Sequence, residues 1–269
     1  MRTGVFRRSY VLILVDNKKI QHIPVLHLVA QEYIDKKLPF IFFIHGFESA
    51  KEHNLHYAYL LAEKGFRVVL PEAVLHGERH SDTIGKKQIA LHFWDIVIQS
   101  INELDVLRQH FENEKLIDSE KIGMVGTSMG GIVTLGSLTR YKWIKAAVSL
   151  MGMPYYEKFA LWQIKELEKR GIELPFKKDQ VDELIAKLNM FDLSKQPEKL
   201  EQRPLLFWHG KQDPIVPFSY TYDFYDTIKP LYKEVPEKLH FITDEKSGHK
   251  VSREGVLKTI EWFDTYLNH

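Results

Sequence analysis

Gly126-Thr127-Ser128-Met129-Gly130 constrains the fold more than any other stretch of this chain, because it reads G-x-S-x-G between an apolar run and a helical one. The preceding Lys121-Ile122-Gly123-Met124-Val125 is short and apolar enough for a buried strand, and Gly131-Ile132-Val133-Thr134-Leu135 can continue as a helix. A serine on such a turn takes a strained backbone position that lifts its hydroxyl clear of the sheet. Gly126 and Gly130 flank it where strand and helix pass closest, so a Cβ at either place would crowd the turn. The pentad also fits a glycine-rich helix start without chemistry, and the rest of the chain has to decide between the two.

The other strands support the chemical reading. Pro39-Phe40-Ile41-Phe42-Phe43-Ile44 is continuously apolar, as a strand covered on both faces requires, and runs into His45-Gly46-Phe47. A helix from Tyr57 to Lys64, closed by Gly65, and the strand Phe66-Arg67-Val68-Val69-Leu70 complete a β-α-β unit with parallel strands. Phe93, Val97, Ile101, Leu104, Leu107 and Phe111 recur at helical spacing and mark a long amphipathic helix. Upstream, Tyr10 to Val15 and Ile23 to Val29 read as an antiparallel edge hairpin turning at Asp16-Asn17-Lys18-Lys19. Arg2, Arg7 and Arg8 before the first of these runs imitate a signal peptide. The run is too short, however, and no small-residue cleavage site follows it.

Beyond the serine, Lys145 to Leu150 and Pro204 to Trp208 read as strands, and the interval between them is too long for a simple crossover. Two helices are expected in it, one beginning at Ala160-Leu161-Trp162-Gln163-Ile164 and one marked by Val181, Leu184, Ile185 and Leu188, with Gly171 and Pro175 between. Residues 152–201 are therefore expected as a small helical cap inserted in a single domain, 1–269, to wall an active site; a structural excursion or a homodimer contact is the alternative.

Asp213 follows the Trp208-His209-Gly210 strand end, and His249 follows the last strand, Leu239-His240-Phe241-Ile242-Thr243, before a closing helix from about Arg253 to Leu267. The order Ser128, Asp213, His249 is the nucleophile–acid–base order of α/β-hydrolases, with each member placed after a strand. Asp223 and Asp244 are the alternative acids. In that scheme His249 takes the serine proton during attack on a carbonyl and returns it to the leaving group, while Asp213 fixes the imidazole tautomer. Backbone N–H groups of Phe47 and Met129 are the expected oxyanion donors.

His45, His76 and Trp94 are expected as substrate contacts. The plainer alternatives are a buried strand-end histidine, a loop braced by a Glu78–Arg79 pair, and a core aromatic. His76 and His80 stand four apart, but no carboxylate or third histidine has metal spacing, so neither metal nor cofactor is expected.

Charge and cysteine content narrow the partners. Lys plus Arg number 37 against 36 Asp plus Glu, a formal charge of +1 that gives no general attraction to nucleic acid or anionic membrane. The absence of cysteine excludes disulfides and thiol nucleophiles and suits a cytoplasmic protein. No run approaches the roughly 18 apolar residues of a membrane span.

The sequence resembles the small bacterial α/β-hydrolase esterases of the YitV/YjfP type, relatives of dienelactone hydrolase and of the prolyl oligopeptidase catalytic domain. The matching stretches are Ile23-Pro24-Val25-Leu26-His27, His45-Gly46-Phe47, His76-Gly77 with Arg79, the Ser128 pentad, Pro204-Leu205-Leu206, Trp208-His209-Gly210 and Asp213. The resemblance implies a mostly parallel sheet of about eight strands with helices on both faces. It also implies a carboxylesterase of short acyl esters with the triad Ser128, Asp213 and His249. No propeller-type domain precedes the hydrolase stretch, so the resemblance does not extend to a peptide-selecting gate. A deacetylase, a thioesterase or a small peptidase-like hydrolase would use the same triad, and a non-catalytic binding protein on this scaffold is the reading of another class.

Overall fold

The computed structural model describes residues 11–81, 85–169, 171 and 177–269. Arg2, Arg7, Arg8, Tyr10 and Pro175, which entered the sequence reading, lie outside them.

The apolar runs become the strands of one sheet. β1 (Ile13–Ile20) and β2 (Ile23–Ala30) form the expected antiparallel edge hairpin, but the turn falls at Gln21-His22 with Ile20 opposite Ile23, and Asp16 to Lys19, expected as the turn, pair with β2 as part of β1. After them come β3 (Leu38–Ile44), α1 (Leu55–Glu63), β4 (Arg67–Pro71), α2 (Lys86–Leu91), α3 (Phe93–Asn113), β5 (Ile117–Thr127), α4 (Met129–Arg140) and β6 (Ile144–Leu150). The inserted segment carries α5 (Tyr156–Lys169) and α6 (Lys178–Asn189); β7 (Leu205–Gly210), α7 (Phe218–Ile228), β8 (Leu239–Asp244) and α8 (Arg253–Leu267) close the chain. The strand order is β1-β2-β4-β3-β5-β6-β7-β8. From β4 across to β8 every pairing is parallel. This is the α/β-hydrolase architecture that the strand pattern implied.

Alternation along each strand feeds two cores. Phe40, Phe42 and Ile44 of β3 join the face covered by α3 and α4, while Ile41 and Phe43 join the face covered by α1 and α8. The chain leaves β3 for β4 on one side and returns to β5 on the other. Such a reversal opens a crevice at the carboxyl ends of β3 and β5, the place where open α/β sheets take ligands.

α2 and α7 were not legible in sequence, and α5 begins earlier than expected. α7 buries Thr221, Phe224 and Ile228 from a segment so rich in aromatics that no polar face stands out. α5 starts at Tyr156, ahead of the expected Ala160, because Tyr156 is fully buried with its hydroxyl donating to Ile132 O at 2.5 Å.

Candidate active site

The pentad makes the turn that its glycines allow. Ser128 sits between β5 and α4 at φ 56°, ψ −114°, a region a serine occupies only when its surroundings enforce it. A Cβ on Gly126 would stand 2.2 Å from Gly130 O, and one on Gly130 would stand 2.0 Å from Ile44 O. Both positions must therefore lack a side chain for β3, β5 and α4 to meet here. The Ser128 N–H donates to Leu150 O at 2.8 Å, which ties the turn to the end of β6.

Across the crevice, His249 Nε2 lies 2.8 Å from Ser128 Oγ and His249 Nδ1 lies 2.7 Å from Asp213 Oδ2. The structure thus joins the three residues that chain order had selected. Asp213 is held on several sides: its Oδ1 accepts the N–H groups of Ile215 at 2.9 Å and Val216 at 3.0 Å. Burial pushes its carboxyl upward, but contacts with His209 and His249 and those backbone N–H groups outweigh burial and hold it well below the usual carboxylate range. An ionised Asp213 requires a proton on His249 Nδ1, which leaves Nε2 able to accept from the serine. Of the alternative acids, Asp244 receives the N–H groups of Lys246 and Ser247 and belongs to the turn after β8.

Sequence reasoning assigned no role to His209. It is fully buried at the end of β7, with Nε2 3.0 Å from Val216 O and 3.2 Å from Asp213 Oδ2, so one N–H braces both ends of the Asp213 loop. The neighbouring Gly210 lets the His249 loop close in, since a Cβ there would meet Gly248 O at 2.3 Å. Its place directly before Gly210 was the available signal, but a histidine inside an apolar strand gives no partner by spacing.

The loop after β3 carries Phe47, and Met129 is the first residue of α4, whose leading N–H groups have no acceptor within the helix. Behind Phe47 the loop is pinned to the segment after β4. His45, 1% exposed, places Nδ1 2.8 Å from Gly46 O and turns Nε2 toward the Ala73 N–H at 3.0 Å and Glu72 Oε1 at 3.1 Å. His76 Nε2 accepts the Glu48 N–H at 3.0 Å while Nδ1 donates to Val74 O at 2.9 Å. The buried Glu72 takes the Lys51 N–H at 3.2 Å, and Lys51 Nζ reaches both Glu72 at 3.4 Å and Glu78 at 2.5 Å. Burial opposes the Glu72 charge, yet His45 and Lys51 outweigh it and set the net direction downward.

These contacts revise two expectations. His45 and His76 do not line the crevice; both are buried and hold the Phe47 loop. Glu78 and Arg79 do not pair with each other either. Arg79 makes a bidentate pair with Glu103 of α3 at 2.7 and 2.8 Å, and Glu78 pairs with Lys51. Bracing is the right description, with partners too distant in sequence for local spacing to reveal.

Trp94 does face the crevice, which deepens into a cavity of about 570 Å³ reaching from Ser128 to α5 and α6. Phe47, Phe93, Trp94, Phe159, Trp162 and Leu184 make much of its wall. Among the described residues no group of His, Asp and Glu is arranged to hold a metal ion, and no helix is long and apolar enough to cross a membrane.

The model of the prolyl oligopeptidase family matches residues 100–269, which include Ser128, Asp213 and His249. Putative esterase YitV of Bacillus subtilis (strain 168) is 56% identical over 256 residues, covering 95% of this chain and 100% of that protein. Esterase YjfP of Escherichia coli (strain K12) is 31% identical over 206 residues, 77% of this chain and 81% of that protein. Among solved structures, TT1662 from Thermus thermophilus superposes with a TM-score of 0.72 at 18% identity, covering 96% of this chain and 99% of that one, a likeness of fold.

Proposed function

We propose, starting from a chain that belongs to the prolyl oligopeptidase family and has the α/β-hydrolase fold, that it is a serine carboxylesterase of short acyl esters. One observation carries the reading: an unbroken line of hydrogen bonds from Asp213 through His249 to a hydroxyl held at a strained turn. The two esterases that it resembles along most of their length support it.

The steps follow from the atoms. Ser128 Oγ bonds to the ester carbonyl carbon as its proton passes to His249 Nε2, and the Phe47 and Met129 N–H groups take the charge that develops on the carbonyl oxygen. The carbon–oxygen bond to the alcohol then breaks, and Nε2 returns the proton to the departing oxygen. Water then enters by the same route: its oxygen bonds to the acyl carbon as its proton passes to Nε2, the carbon–Oγ bond breaks, and Nε2 returns that proton to Ser128 Oγ as the carboxylic acid leaves. Asp213 stays ionised throughout and stabilises the imidazolium. Residues 152–201 act as a cap over the serine, with α5 and α6 supplying the apolar wall.

Hydrolysis of p-nitrophenyl acetate by the wild type and by Ser128→Ala tests the reading. Turnover by the wild type and loss in the variant are expected. Equal turnover by both would remove Ser128 from the mechanism.

A further inference from the structure

The cavity is far larger than an acetyl or butyryl group needs. At about 570 Å³ it falls in the range that encloses a drug-sized molecule. Its wall is aromatic, with Phe159 and Trp162 stacked at 5.5 Å and an interplanar angle of 9°, and Phe93 set edge-on to Trp94 at 5.2 Å. Flat apolar groups pack well against such surfaces.

Two amides in this lining have a fixed orientation: that of Gln180, at the exposed start of α6, whose Oε1 accepts the Lys177 N–H at 2.9 Å, and that of Gln163, which stands beside the aromatic wall. The indole N–H of Trp94 donates to Gln163 Oε1 at 2.9 Å. An indole nitrogen can only donate, so the amide oxygen must face it and the amide NH₂ must face elsewhere. Gln163 lines the cavity, and among the described residues nothing accepts from its Nε2. A fixed donor therefore belongs to the lining beside its aromatic residues, with Asp95, Glu166, Gln180, Glu183 and Lys187 as further polar members. The lining offers a substrate carboxylate little: Lys187 is its one cation among the described residues, and Glu183 already pairs with it at 3.0 Å. An unpaired anion entering there would lose its hydration without compensation.

We infer that the preferred substrate is a neutral ester of a large, flat apolar alcohol bearing a hydrogen-bond acceptor, with that alcohol seated under α5 and α6 and its acceptor on the Gln163 amide. The inference rests on the esterase reading, in which the acyl group is small and the cavity is left to the alcohol.

Four acetates of similar leaving-group reactivity test it: phenyl, 2-naphthyl, 6-methoxy-2-naphthyl and 6-carboxy-2-naphthyl acetate. For the wild type, kcat/KM is expected to rise about tenfold or more from phenyl to naphthyl, through the added apolar contact. It should rise several-fold again with the methoxy acceptor, and fall at least tenfold from methoxy to carboxylate. Gln163→Leu should bring the methoxy and plain naphthyl esters to within about twofold of each other; Gln163→Met serves if the leucine variant does not fold. A flat series, or a methoxy advantage that survives loss of the amide, would overturn the inference. Ser128→Ala separates the two failures. If it abolishes phenyl acetate hydrolysis while the series is flat, the nucleophile stands and only the substrate class falls; if it still turns over phenyl acetate, the esterase reading falls first.

Discussion

Ser128 and α6 line the same cavity, and they are held in different ways. The serine is fixed by a strained turn, by two glycines that admit no side chain and by an N–H bond to Leu150 O, and its partners His249 and Asp213 are held as firmly. α6 buries only Leu188 among its described residues. The roof is anchored at its base instead, where Asp192 accepts the Glu157 N–H at 3.0 Å and the Arg203 guanidinium donates to the carbonyls of Leu138, Tyr141 and Ile144. Bond making tolerates little misplacement, whereas an apolar wall can shift and still exclude water. On the proposed reading the floor carries the chemistry, and the roof carries the choice of substrate.

The sharpest way to break that division is to compare substitutions on either side. Ser128→Ala is expected to lower kcat for phenyl acetate by about 10⁶-fold, since removing the nucleophile disables the triad as a unit. A loss of less than about 10²-fold would place the chemistry elsewhere. Asp213→Asn should cost about 10⁴-fold with the fold retained, because a neutral amide no longer holds the imidazole tautomer. A drop below about tenfold would point to Asp223 or Asp244 instead.

Acid should distinguish the two regions by stability. Burial, reinforced by Arg67, lowers the pKa of His27 in β2 to about 3, and burial lowers that of His76 as well. A histidine whose folded pKa lies below its unfolded value binds its proton later in the folded chain than in the unfolded one. Stability is thus complete above about pH 6.5 and declines as pH falls, for His27 down to about 3. That shift corresponds to about 4–5 kcal/mol. The inserted segment contains no histidine, so the histidine part of the loss belongs to the sheet and the loop after β4. Urea unfolding between pH 7 and 4 should show the decline, and His27→Gln should flatten it; an unchanged slope would contradict the assignment.

Smaller effects sharpen the comparison further. His76→Leu frees the Glu48 N–H beside Phe47 and should lower kcat about 10- to 10²-fold with KM nearly unchanged, the pattern of an interaction made in the transition state. A change confined to KM would return His76 to the substrate-contact role first expected of it. Leu184→Ala in α6 should raise KM for 2-naphthyl acetate about threefold and leave thermal stability within about 1 kcal/mol, as suits a half-exposed wall residue. A large loss of stability would show the roof to be as tightly built as the floor.

The same division explains what was legible in the sequence. Strands such as β3 and β5 declare themselves by unbroken apolar runs, and Ser128, Asp213 and His249 by standing just after strands in a recognisable order. The closing helix, expected from about Arg253 to Leu267, spans those residues. The partners of Glu72, Lys51, Arg79 and His209 were hidden, because each lies on another element and no periodicity encodes a contact between loops. α7 was hidden for another reason: Phe218, Tyr222 and Tyr225 pack against Phe241 of β8, so aromatic residues occupy faces where a helical pattern would show polar ones.

Mass spectrometry of the intact protein after treatment with an alkyl fluorophosphonate tests the activated serine most directly. The hydroxyl displaces fluoride and forms a stable phosphonate ester only where a base has made it nucleophilic. One adduct is expected on the wild type, mapping to the peptide that contains Ser128, with none on Ser128→Ala and strongly slowed labelling of His249→Ala. An unlabelled wild type, or equal labelling of all three proteins, would contradict the account.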